Sequence, residues 1–203
     1  KRRALPPAIT GEEMRFFLRL TLLLTTLFNA SWALAVEISV NFTATIKETT
    51  CAMTVSALNG ANISGDSASE NYFLDIPAMG VSDITNKTSK TEASFKLLPI
   101  NCNNYISSMS MTIGGKHSDY TDTLLVNESS VTGGANYIGV GFKRLNDDDS
   151  LRFKVDGTTS INWTRNDIAN GFDITGIVRQ TTSSHTMEPG TVQTKAIFVF
   201  TYN

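Results

Sequence analysis

Gly190-Thr-Val-Gln-Thr-Lys-Ala-Ile-Phe-Val-Phe-Thr-Tyr202-Asn203 is an unbroken strand pattern. Val192, Ala196, Phe198, Phe200 and Tyr202 recur at period two, the spacing by which a pleated strand buries one face. A second alternation lies far upstream, where Ile38, Val40, Phe42, Ala44 and Ile46 are separated by Ser39, Asn41, Thr43 and Thr45. Between these two stretches the chain is a series of short strand patterns, predicted over 51–57, 72–76, 93–102, 108–113, 123–126, 138–145, 151–153 and 172–180. The breaks carry turn chemistry: Asn59-Gly60, Gly114-Gly115, Gly133-Gly134, an acidic turn over 146–150, Asp156-Gly157, Asn170-Gly171 and Pro189-Gly190. Segment 59–70 has the most loop-like composition, and a short helical turn is expected within 161–169. Many short strands without a long helical period predict an all-β sandwich.

The segment before these strands has a different character. Residues 1–13 show no periodicity and are expected to be an upstream or non-native extension. Residues 14–35 read as a secretory signal peptide: Arg15 and Arg19 give a positive start, an apolar run follows, and Ala33-Leu34-Ala35 supplies small residues at the cleavage site. The apolar run is shorter than the roughly 20 residues that span a bilayer. Export into an oxidising compartment makes Cys51 and Cys102 a candidate disulfide, the alternative being two buried thiols.

Composition excludes several functions. A net charge of −2 with scattered Lys and Arg does not make a nucleic-acid footprint. His117-Ser118-Asp119 contains the residue types of a hydrolytic triad, but sequence neighbours point in different directions and a solvated loop is expected there. Asp147-Asp148-Asp149 lacks the spaced ligands of a calcium loop and reads as a charged hairpin tip. Two cysteines with only His117 and His185 lack metal-ligand spacing. The Asn-x-Ser/Thr triplets at Asn29, Asn41, Asn62, Asn86, Asn127 and Asn162 are expected by chance in a chain rich in Asn and Thr. No catalytic residue, metal or cofactor is expected.

Three stretches together resemble the chaperone–usher fimbrial pilins, close to the type 1 major and minor subunits. They are Val40-x-Phe42-x-Ala44-x-Ile46-x-x-x-x-Cys51, Phe95-Lys-Leu97-Leu-Pro-Ile100-Asn-Cys102, and Gly190 with the alternating tail to Tyr202. The resemblance implies an incomplete immunoglobulin-like β-sandwich that lacks its final strand and is completed by a donor strand from a neighbouring subunit. It divides the chain into an arm at 36–47 and a pilin domain at 48–203. It gives Ile38, Val40, Phe42, Ala44 and Ile46 to the donor strand, with Ala44 standing where the family usually has glycine. Gly190, Ala196, Phe198, Phe200 and Tyr202 fall to the terminal strand beside the groove, and the Asn203 carboxylate becomes an anchor for chaperone cations. The implied partners are other pilin subunits, a periplasmic chaperone and an outer-membrane usher, with export through the periplasm to the cell-surface fimbrium. The implied role is a shaft or adaptor subunit in cell adhesion rather than a two-domain tip adhesin. The competing expectation is a secreted, monomeric carbohydrate-binding sandwich using aromatics such as Tyr105, Tyr120, Tyr137 or Trp163.

Overall fold

A computed structural model describes the backbone of 38–47 and residues 51–66, 68–102 and 106–202. The alternating stretches become strands in two six-stranded sheets. The first sheet holds, in spatial order, β10 (Ile161–Trp163), β6 (Met109–Gly115), β12 (Val192–Tyr202), β1 (Ile38–Lys47), β4 (Asn71–Met79) and β3 (Asn62–Asp66). The second holds β2 (Ala52–Leu58), β5 (Glu92–Ile100), β11 (Phe172–Gln180), β9 (Ile138–Arg144), β8 (Thr121–Leu125) and β7 (His117–Ser118). Among the described strands every ladder is antiparallel except β1 against β12, which is parallel. The expectation of an all-β, immunoglobulin-like sandwich holds.

Period two explains where the core lies. β4 buries Tyr72, Leu74 and Ile76 while Phe73 stays 46% exposed, and β12 buries Val192, Thr194, Ala196, Phe198 and Phe200. Across the interior, Phe198 of the first sheet meets Phe95 and Phe142 of the second edge-to-face, at centroid distances of 6.3 and 5.5 Å. Offset and edge contacts of this kind align each ring's positive rim with its neighbour's negative face. Cys51 and Cys102 form a disulfide that ties the start of β2 to the end of β5.

The second sheet is also covered on its outer side. β11 is buried at nearly every position because α1 (Val81–Thr85) and the segment after β9 lie across it. Here Arg179 bonds Asp149, Thr91 and Glu92, and Lys143 reaches Asp149 at 3.0 Å. The acidic stretch expected to be a charged hairpin tip is therefore partly internal: Asp149 is buried within a 3-10 turn, Asp149–Leu151. That turn also replaces the strand expected at 151–153, because Asp148 caps it by accepting from the Ser150 amide. The predicted loop at 59–70 contains β3, whose edge position needs only one hydrogen-bonded neighbour. The helical turn expected within 161–169 resolves into β10 followed by α2 (Arg165–Asn170). Thr164 and Asp167 form a reciprocal capping box at its start.

Candidate functional site

The first sheet has a particular construction. β1 lies between β12 and β4, and among the described residues no ladder joins β12 to β4 directly. Backbone hydrogen bonding across the middle of this sheet passes through the arm on both sides. The register is consistent: Val40 is level with Val192 and Ile76, Phe42 with Thr194 and Leu74, Ala44 with Ala196 and Tyr72. Ile46 is level with Phe198. The arm's even-numbered positions thus match the inward positions of both neighbours, which is what a two-residue pleat requires for a shared face. A one-residue slip would break that match.

Without β1 the sheet would divide into β10-β6-β12 and β4-β3, with two unpaired edges. The walls of the resulting slot are Val192, Ala196, Phe198 and Phe200 on one side and Tyr72, Leu74 and Ile76 on the other. Its floor comes from the second sheet, and an apolar void of about 10 Å³ remains between Val55, Ile63, Tyr72, Leu74, Phe95, Leu97 and Phe198. Register places this void at the level of arm positions 42–46.

One residue of the slot escapes a purely hydrophobic reading. Thr194 is 2% exposed and level with Phe42, and its Oγ1 has no hydrogen-bond partner among the described residues. Its place in the period-two series is the signal that would have found it. The β4 wall was legible from the alternation of Tyr72, Leu74 and Ile76 with Phe73, Asp75 and Pro77, but composition alone did not mark β4 as the arm's second neighbour.

The remaining sequence candidates fall as follows. Gly190 precedes β12 rather than joining it, packed against the 133–135 segment. Asn127 braces the same junction, donating to the carbonyls of Ala135 and Thr191 and accepting from the Gln193 amide. Ala196, Phe198 and Phe200 are buried and Tyr202 is half-buried at the strand's end. Asn203 and Tyr105 lie outside the described residues. Trp163 is buried against Phe172 and Phe200, so it offers no exposed stacking face. His117 and Ser118 sit on β7, with the His117 ring nitrogen Nδ1 near its neighbour's carbonyl at 3.0 Å, not on a nucleophile.

Electrostatics in the described region serve structure. Burial pushes the Asp149 carboxyl up, but hydrogen bonds from Arg179 and Lys143 outweigh it and hold the group well below the usual carboxylate range. Asp167 behaves alike: burial raises it, and the bidentate Arg144 pair at 3.0 and 2.9 Å, with the Thr164 hydrogen bonds, outweighs burial and lowers it. Arg144 also lies 3.9 Å over the Phe172 ring. Among the described residues no group of three His, Cys, Asp or Glu side chains converges on a metal site, and no helix is long and apolar enough to cross a membrane.

Fold and slot together define an immunoglobulin-like sandwich in which an N-terminal strand bridges one sheet. A family model described as fimbrial protein matches residues 40–203. The chain is also similar to an uncharacterized fimbrial-like protein, YadM, of Escherichia coli (strain K12). The two are 34% identical over 171 residues, covering 83% of this chain and 88% of that protein. The chain belongs to the fimbrial protein family, a structural family of the cell-surface fimbrium.

Proposed function

We propose that this chain is a structural subunit, shaft or adaptor, of a chaperone–usher fimbria and polymerises by donor-strand exchange without catalysing any reaction. One observation carries the proposal: among the described residues β1 alone bridges β12 and β4, which supports the reading that an equivalent strand from another copy can take its place. β-strand addition of this kind takes its affinity from main-chain hydrogen bonds and its register from alternate side chains.

The roles follow from position. After a signal peptide at 14–35 is removed, the arm at 36–47 serves as donor, with Ile38, Val40, Phe42 and Ile46 filling the slot of the preceding subunit's 48–203 domain and Ala44 as its small position. Burying four large apolar side chains contributes roughly 6–12 kcal/mol before ordering costs. Before exchange, a periplasmic chaperone lends its own strand beside Ala196, Phe198, Phe200 and Tyr202, with Asn203 as a further chaperone contact. The usher then swaps that strand for the next subunit's arm.

Deletion of 36–46 tests this. The shortened subunit, co-expressed with its chaperone, is expected to be recovered as a chaperone complex that accepts an arm but cannot extend a fibre. Fibres of normal length from the deletion would overturn the mechanism.

A further inference from the structure

At the end of the sandwich where β12 begins, three rings from separate segments meet on the surface. Tyr137 stacks on His185 at 4.5 Å and 13° between planes, and Tyr120 lies 6.1 Å from Tyr137 and 5.4 Å from His185. Tyr120 is 52% exposed, one of few large apolar side chains so presented. Beside them is an open cavity of about 290 Å³ lined by Lys116, His117, Asp119, Asn136, Tyr137 and others.

The backbone is held in an uncommon shape to present these rings. Tyr137 has φ +60°, in the left-handed region that a bulky residue seldom occupies. The Thr181 amide donates to the Tyr137 carbonyl at 3.0 Å, and Asn136 pairs with Glu188 next to it. Strain of this kind persists where surrounding structure fixes it, and it gathers at ligand sites.

We propose that this cluster is a carbohydrate-binding site for a neutral hexopyranoside. A pyranose ring has an apolar C–H face edged by hydroxyls. Tyr120 offers the flat partner for that face, with the Tyr137–His185 stack as the adjoining wall. Asp119 and Asn136 also line the cavity, the Asn136 amide donating to the Glu188 carboxylate at 2.6 Å, and they supply the polar groups that hydroxyls require. The cavity is at the small end of the range for small-molecule sites, roughly 300–1,000 Å³. That suits a sugar ring rather than a peptide helix. The site is remote in sequence from the arm and shares no residue with the slot's walls, so it goes beyond the assembly role.

The test uses the full chain as purified, free or in fibres, with methyl β-D-galactopyranoside, methyl β-D-glucopyranoside and methyl α-D-mannopyranoside as probes in saturation-transfer NMR. At least one probe is expected to show saturable transfer centred on C–H protons of one ring face. Tyr120→Ala should weaken it about tenfold or more, and Tyr120→Phe, which keeps the ring, should stay within about threefold, since stacking and not the hydroxyl carries the contact. Fibre length, scored separately by electron microscopy, should be unchanged in both variants. Absence of saturable transfer from all three probes, or equal binding by Tyr120→Ala, would overturn the site. Loss of fibres in Tyr120→Ala alone would reassign the cluster to a contact between subunits. Loss of fibres in the unsubstituted chain with sugar binding intact would strike the assembly proposal and leave this one standing.

Discussion

Gly190 shows how one atom can decide a junction. A Cβ at this position would lie 2.6 Å from the Ala135 nitrogen and the Gly133 oxygen and 2.7 Å from the Gly134 carbonyl carbon, all backbone atoms. The glycine is required by this close approach, not by a left-handed φ. Gly190→Ala must therefore push the 133–135 segment off the start of β12 and loosen the Asn127 brace. We expect a loss of about 1–3 kcal/mol, as for other overpacked sites, read as a lower urea midpoint. The sequence pointed to Gly190 through its family pattern, whereas the reason for a glycine there is visible only when two segments distant in sequence are brought together.

At the scale of elements, β12 and β5 were legible because period-two alternation is a direct signature of one buried face, while β11, buried on both faces, was legible as an apolar run bounded by Asn170-Gly171. β3 and β10 were not, since Asn62-Ile-Ser-Gly-Asp66 and Ile161-Asn-Trp163 are short edge strands whose identity comes from pairing with β4 and β6. The turn at Asp149–Leu151 was hidden for a related reason. Nothing near Asp149 in sequence announces that Arg179 waits for it on β11. This cluster fastens the segment after β9 to the outer face of the second sheet, and its pH dependence has a definite sign. Because the folded state holds Asp149 below its unfolded value near 4, the unfolded chain binds more protons in that window and stability rises with pH. The contribution is complete at neutral pH and fades as pH falls below about 4. Asp149→Asn, which leaves Arg179 and Lys143 with Glu92 as their shared carboxylate partner, should cost about 3 kcal/mol at pH 7 and flatten the acid side of the stability profile. Denaturant titrations at pH 7 and pH 3 measure both effects; an unchanged acid slope would show that other carboxylates dominate.

For the molecule as a whole, the Cys51–Cys102 disulfide closes a separation of 51 residues and locks two strands of the second sheet at one end. In the loop-entropy account such a closure restricts the unfolded chain by about 4 kcal/mol. The double variant Cys51→Ser/Cys102→Ser is expected to lose about 2–5 kcal/mol, measured as the difference in unfolding free energy from the oxidised protein. An equal stability of the two forms would mean that the linkage contributes nothing beyond the packing around it.

The parallel pairing of β1 with β12 also sets an order in time. Val40 has one partner nearby in sequence, Ile76 on β4, and the other at Val192 on β12, so the seating of β1 between its two neighbours is complete only after the far end of the chain has been made. Contacts that join the extremes of a chain form slowly, because a long loop must close before anything is gained. During that delay β4 and β12 wait as bare edges over an uncovered interior. The interval is a hazard, since bare edges invite aggregation. It is equally an opening in which an escort's strand, or a sister chain's, can arrive before the molecule's own.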